Sequence, residues 1–267
     1  MNFTNRHKWL ASPLGEYLLA NEQPFYDDIV TDIFGFNAVQ IGFYEVNLLI
    51  NSRIPTQLHT EEIMSSNDAV TKVDVHCDGD ALPFAPESLD LVLLPHVLEF
   101  SANPHQALRE VERVLMVEGY VIISGFNPYS SWGLKRFLRN RYKKNKPENN
   151  DLAYPWCGQF FSQTRIKDWL ALLGLELVST HNTCYNFPSN HNKWLVRFKI
   201  LDKIGRKCWP KLGGIYYIVA KKRVASMTLL KPNWKKSPIK VRLATSVSQK
   251  DTHQHSHKMI NKKTHSQ

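Results

Sequence analysis

Residues 78–128 read DGDALPFAPESLDLVLLPHVLEFSANPHQALREVERVLMVEGYVIISGFNP. LDLVLLP, 89–95, is an apolar run interrupted only by Asp90, the pattern of a strand covered on both faces in a parallel sheet. Asn103-Pro104 then opens a helix, with proline at its first turn where no N–H is missed. Ala107, Leu108, Val111, Val114 and Leu115 fall on one helical stripe, and Gly119 is expected to close the helix. YVIISGF, 120–126, returns as a strand. Buried strands separated by a helix are the repeating unit of a doubly wound α/β sheet.

The flanks extend this pattern. Upstream, AVQIG (38–42) reads as a short buried strand, TQLHTEE (56–62) as a weak second strand, and KVDVHCD (72–78) alternates Val73, Val75 and Cys77 on one face. Ser12-Pro13 is a helix start carrying Leu14, Tyr17 and Leu18, and a second helical run is expected over Phe25–Phe34, stopping at Gly35. Downstream, Ser162 caps a helix bearing Ile166, Trp169, Leu170 and Leu173. LELVST (175–180) and GIYYIVAKK (214–222) supply two more strands.

Charge and composition narrow the function classes. The chain has 267 residues and a formal net charge of +10. Residues 221–267 hold 12 Lys/Arg and one acid, so 1–220 hold 22 basic and 23 acidic residues, a net −1. A nucleic-acid reading from overall charge would therefore mistake a tail property for a property of the body. The polar tail, with His253, His255 and His257 alternating as solvated histidines, is expected to be disordered. No apolar run reaches the length of a membrane helix. The N-terminal residues lack the pattern of a signal peptide. Four scattered cysteines, Cys77, Cys157, Cys184 and Cys208, give no CxxC pair and fit a reducing cytoplasm.

Four pieces in order carry a likeness: an acid shortly before LPF, then SLDLVLLPHVLEF, then ALREVERVLMVEG, then YVIISGFNP. Together they resemble the type 11 family of class I S-adenosylmethionine-dependent methyltransferases. GFNPYSSWGL (125–134) and WLALLGLE (169–176) resemble a bacterial branch in which the glycine turn is eroded. The resemblance spans roughly 36–223. It implies a seven-stranded Rossmann-like sheet with the last strand antiparallel, S-adenosyl-L-methionine as cofactor, and a methyl acceptor, most simply a small molecule.

The family's first strand ends in a turn of the form D-x-G-x-G-x-G. Here the acid is Gln40, Gly42 is kept, and the next two glycines are Tyr44 and Val46. Side chains there bar the close backbone approach that glycine permits. The resemblance further places Glu61, 19 residues past Gly42, at the ribose hydroxyls. It places Asp78 and the Gly79 N–H at the adenine edge, with Asp80 as the alternative acid, and Leu94 and Pro95 along the pocket. His96 is a candidate proton acceptor or acceptor-site residue, with Glu99 one turn on as a partner. Asn127 and Trp132 are candidates for the acceptor-site wall. Asn127-Pro128 also reads simply as a turn into a helix started by Ser130 or Ser131.

The expected organisation is an N-terminal helical segment (1–35), a methyltransferase domain (36–223) with a helical insert (185–213), and a basic tail (224–267). In the insert, Trp194, Leu195, Phe198 and Leu201 give an apolar face. Lys135–Lys146 holds seven basic residues with Phe137 and Tyr142 interleaved. Two other readings stay open beside the enzyme: a partner-binding protein on the same fold that has lost the cofactor, and an RNA- or anionic-membrane-associated protein using the basic helix and tail. Nothing in the sequence signals an oligomer.

Overall fold

The computed structural model describes residues 4–61, 73–143, 154–190, 195, 197 and 199–223. Seven strands form one sheet: β1 (Asn37–Ile41), β2 (Thr56–Glu61), β3 (Val75–His76), β4 (Leu89–Pro95), β5 (Leu115–Phe126), β6 (Leu175–Thr183) and β7 (Ile215–Lys222). Their order is β3-β2-β1-β4-β5-β7-β6. The first five run parallel, and β7 lies antiparallel between β5 and β6. This is the sheet expected from the sequence. The order reverses between β1 and β4, so their carboxyl ends frame the crevice where such sheets take ligands.

Alternation along the strands divides the core. Leu91, Leu93, Ile122, Tyr217 and Val219 face one layer with α2 (Pro13–Thr31), which brings Leu14, Leu18, Tyr26 and Val30. Val92, Leu94, Val121, Ile123 and Ile218 face the other, with α3 (Pro104–Val114) and α5 (Gln163–Leu172). The remaining helices are α1 (Thr4–Leu10), α4 (Ser131–Lys143) and α6 (Lys199–Cys208). Asp90, the polar residue within β4, accepts from the N–H groups of Phe36 and Asn37 and so anchors the start of β1.

Several boundaries differ from the sequence reading; the strand expected over 72–78 is the two-residue β3. The two expected N-terminal helices are one helix of 19 residues that passes through Pro24. Proline removes one helical hydrogen bond, but buried Glu22 and Tyr26 fix the helix to the sheet on either side of it. The helix expected to run to Gly119 ends at Val114. Leu115 fits the apolar stripe but takes extended backbone and pairs with Leu89, and the register slips so that Leu91 meets Tyr120. Gly119 then relieves crowding, since a Cβ there would lie 2.9 Å from the Met116 carbonyl.

The connection from β1 to β2 is made of turns, and α2 covers that face instead. Ser130 starts α4: its hydroxyl accepts from Gly133 N–H. In the insert, α6 is tied down by buried Asp202, which accepts from Tyr17 Oη and Tyr185 N–H. Leu195 is buried. Trp194, Phe198 and the tail beyond Arg223 lie outside the described residues.

Candidate functional site

Gly42 and Phe43 follow β1 with φ of +69° and +58°, two left-handed residues in succession. Gly42 N–H donates to Thr60 O at 2.7 Å, tying the turn to β2. The buried Gln40 side chain organises the rest. Its Nε2 donates to the carbonyls of Val46 and Phe43 at 2.8 and 3.0 Å, and its Oε1 accepts from Leu48 N–H at 2.9 Å. The left-handed backbone turns Phe43 inward. Its ring is buried and lies 5.8 Å from the ring of His96.

Glu61 ends β2, and its Oε2 accepts from Arg6 Nη2 at 3.0 Å. Arg6 Nε donates to Glu45 Oε1 at 2.8 Å, and the guanidinium lies over the ring of Tyr44 at 5.2 Å. One cation from α1 therefore holds the end of β2 and the turn after β1 together. Burial opposes the Arg6 charge, but Glu61 and Glu45 raise its pKa above the ordinary value. Burial also pushes Glu61 up, and Arg6 pulls it only part of the way back.

Past β3, the surroundings open. Asp78 is exposed and accepts from Asp80 N–H at 3.3 Å. Asp80 is engaged elsewhere, with Ser101 Oγ at 3.0 Å and Asn103 Nδ2 at 3.3 Å, which leaves Asp78 as the available acid. Gly79 is half-buried beside Val97. Leu94 and Pro95 are buried at the end of β4.

His96 has φ +53° and is buried between two carboxylates. Its Nε2 lies 2.9 Å from Oε1 of Glu22 and its Nδ1 lies 3.6 Å from Oε1 of Glu99. That Glu99 oxygen also accepts from Phe126 N–H at 2.6 Å, and the Phe126 ring stacks on the imidazole at 4.3 Å. Burial lowers the pKa of His96, but Glu22 and then Glu99 outweigh it and raise it to about 10. A histidine held protonated at neutral pH is a poor proton acceptor, so the base role expected for His96 does not match its surroundings.

Asn127 and Trp132 sit apart from this cluster. Asn127 is buried, and its amide donates to the carbonyls of Lys211 and Gly213 while its Oδ1 accepts from Tyr129 N–H. Trp132 is fully buried and stacks on Phe126 at 5.6 Å. Both serve the packing of α4 against the end of β5. Among the described residues, no group of three His, Cys, Asp or Glu side chains is placed to hold a metal ion.

The ends of β1, β2, β3 and β4 carry Gly42, Glu61, Asp78, Gly79, Leu94, Pro95 and His96 at or just after their last residues. Arg6, Glu22 and Glu45 are additions that the sequence reading missed. Glu22 left a signal: it sits in the stripe Leu14, Leu18, Glu22, Tyr26, Val30, an acid where the helix is otherwise apolar.

An adenosine-bearing ligand can be tested against these residues. The adenine edge fits, with an exposed carboxylate for an amino group and a neighbouring backbone N–H for a ring nitrogen. The ribose carboxylate is present, with one oxygen given to Arg6. The methionine end differs, because Tyr44 and Val46 stand where the family's turn has glycine and the Gln40 side chain sets the path of the turn.

Residues 53–123 match the family model described as a methyltransferase domain. The chain is 31% identical over 219 residues to the uncharacterized protein YafS of Escherichia coli, covering 82% of this chain and 81% of that one. It is 29% identical over 107 residues to the uncharacterized protein MJ1123 of Methanocaldococcus jannaschii, 40% of this chain and 48% of the other. Among solved structures, it is similar to a Thermotoga maritima S-adenosylmethionine-dependent methyltransferase described as a possible histamine N-methyltransferase. That match has a TM-score of 0.52 at 18% identity and covers 83% of this chain and 97% of that one. A methyltransferase from Archaeoglobus fulgidus matches with a TM-score of 0.50 at 20% identity, covering 82% and 99%. At these identities the structures speak for the fold.

Proposed function

The chain belongs to the type 11 family of class I S-adenosylmethionine-dependent methyltransferases, and from that premise we propose that it transfers a methyl group to a small-molecule acceptor. The observation that carries the reading is the convergence of Gly42, Glu61 and Asp78-Gly79 on one edge of the sheet, after β1, β2 and β3, beside the β1/β4 switch point. The family's cofactor is S-adenosyl-L-methionine, which when bound supplies an electrophilic sulfonium methyl. Asp78 and the Gly79 N–H would hold the adenine edge, Glu61 the ribose hydroxyls, and Leu94 with Pro95 the apolar wall. Glu61, which Arg6 and the Tyr44 N–H engage, would serve the ribose once Arg6 moves aside. His96, protonated and paired, fixes the loop after β4. Catalysis in this reading is by placement of acceptor and methyl in line, which needs little proton transfer.

Calorimetric titration with S-adenosylhomocysteine tests the proposal. Binding is expected, and Asp78→Ala should weaken it about 10- to 150-fold, the value of a hydrogen bond to a charged group. No heat and no thermal shift at roughly millimolar ligand would sink the enzyme reading. The second reading, a partner-binding protein that has lost the cofactor, would then stand. It is favoured by one observation, the buried ion pair in which Arg6 already engages the Glu61 carboxylate.

A further inference from the structure

Beyond its buried Trp132, helix α4 is amphipathic in the inverted sense. Leu134, Phe137 and Leu138 are 53%, 58% and 56% exposed, and at spacings of three and four residues they form one outward stripe that Arg141 continues. Lys135 and Arg136 face the body instead. Lys135 lies over the Trp156 ring at 5.1 Å and donates to Pro188 O, and Arg136 lies over the Phe160 ring at 4.9 Å. Burial lowers the pKa of both cations. A helix that serves only the core places its apolar residues inward and its cations in water.

The stripe has neighbours of the same kind. Asn127 Nδ2 bonds the Lys211 carbonyl, and Ser131 Oγ bonds the Asn186 carbonyl, so 127–131, 186–188 and 209–212 form one surface at the end of β5. Tyr129, Phe187, Trp209 and Leu212 are all exposed there. Charge follows the same map: among residues whose side chains are described, 127–141 and 184–214 carry Lys135, Arg136, Arg139, Arg141, Arg197, Arg206, Lys207 and Lys211 against one acid, the buried Asp202.

We propose that α4 and the adjoining 209–212 turn form an interfacial docking surface for a lipid bilayer containing anionic headgroups. Apolar side chains enter the headgroup–acyl boundary while Arg139, Arg141, Arg206 and Lys211 meet the phosphates. The exposed cations and aromatic rings would also suit RNA, but Leu134, Leu138 and Leu212 favour a bilayer, because RNA gives outward leucines nothing to bury in. The surface does not depend on the methyl-transfer reading.

Flotation of the full chain with vesicles tests it, comparing phosphatidylcholine alone with phosphatidylcholine mixed with phosphatidylglycerol. The protein should float with the mixed vesicles and not with phosphatidylcholine alone. The triple variant L134S/F137S/L138S should lose at least about tenfold in apparent affinity with little change in melting temperature, since the three side chains are more than half exposed. Phe137→Ser alone gives a smaller loss in the same direction and serves if the triple variant does not fold. R139S/R141S should weaken binding and reduce its salt dependence. The proposal is overturned if the triple variant floats as well as the parent, which would assign binding to the basic tail. It is also overturned if the stripe instead closes a dimer seen by light scattering, or if the parent binds single-stranded RNA tightly and the triple variant loses that binding.

Discussion

At position 40 the acid of the family turn is replaced by an amide, and the replacement reorganises the whole connection after β1. Gln40 links Phe43, Val46 and Leu48 through one buried side chain, so the turn is a different structure and not a damaged copy of the glycine turn. Substituting glycine at Tyr44 and Val46 therefore should not restore the family's path, because Gln40 still dictates it. Gln40→Ala should destabilise the fold by about 2–4 kcal/mol, leaving Leu48 N–H and two carbonyls short of partners. Urea unfolding checks this; a change under about 0.5 kcal/mol would mean the turn does not rest on Gln40. Arg6 is comparable. Arg6→Ala leaves Glu61 and Glu45 buried without their cation, at a cost of about 3–5 kcal/mol.

At the scale of elements, the docking of α2 depends on an ion pair. Glu22 reaches from α2 to His96 after β4, and both side chains are buried. The folded-state pKa of His96 is raised from 6.5 to about 10. A raised value means that the protonated ring stabilises the fold fully below about pH 6.5, and that this contribution declines as pH rises and is gone beyond about 10. Urea midpoints should fall across that window, and His96→Gln should flatten the fall. An equally steep decline in the variant would assign the slope to other groups. Element boundaries show where sequence reading stops. The buried strand Leu89–Pro95 was legible because a continuous apolar run has few alternatives. The passage of α2 through Pro24 was not, since the contacts that hold it come from strands far along the chain. The site divides in the same way: Gly42, Glu61 and Asp78 are what the family resemblance implied, whereas Arg6 and Glu22 reach the strand ends only through tertiary packing.

For the molecule as a whole, the described core closes between Leu10 and Ala220. Truncation after about Pro232 should accordingly leave the melting temperature nearly unchanged. A fall of many degrees, seen by calorimetry, would show that the basic tail packs on the body. RNA binding by the truncated chain should be weak and lost at moderate salt, because residues 1–220 are nearly neutral.

The long helix α2 has a consequence for the order of synthesis. Glu22 waits 74 residues for His96, which at about 5–20 residues per second is roughly 4–15 seconds of translation. Phe25, on the same helix, stacks at 4.0 Å on Tyr217 of β7 and waits longer still. The first long helix to leave the ribosome is thus among the last elements secured. Until β7 is made, it carries an acid and a row of aromatic side chains in search of the sheet. A nascent chain of this protein stalled before residue 215 should be bound by chaperones and cut within α2, and one released with β7 complete should be protected there.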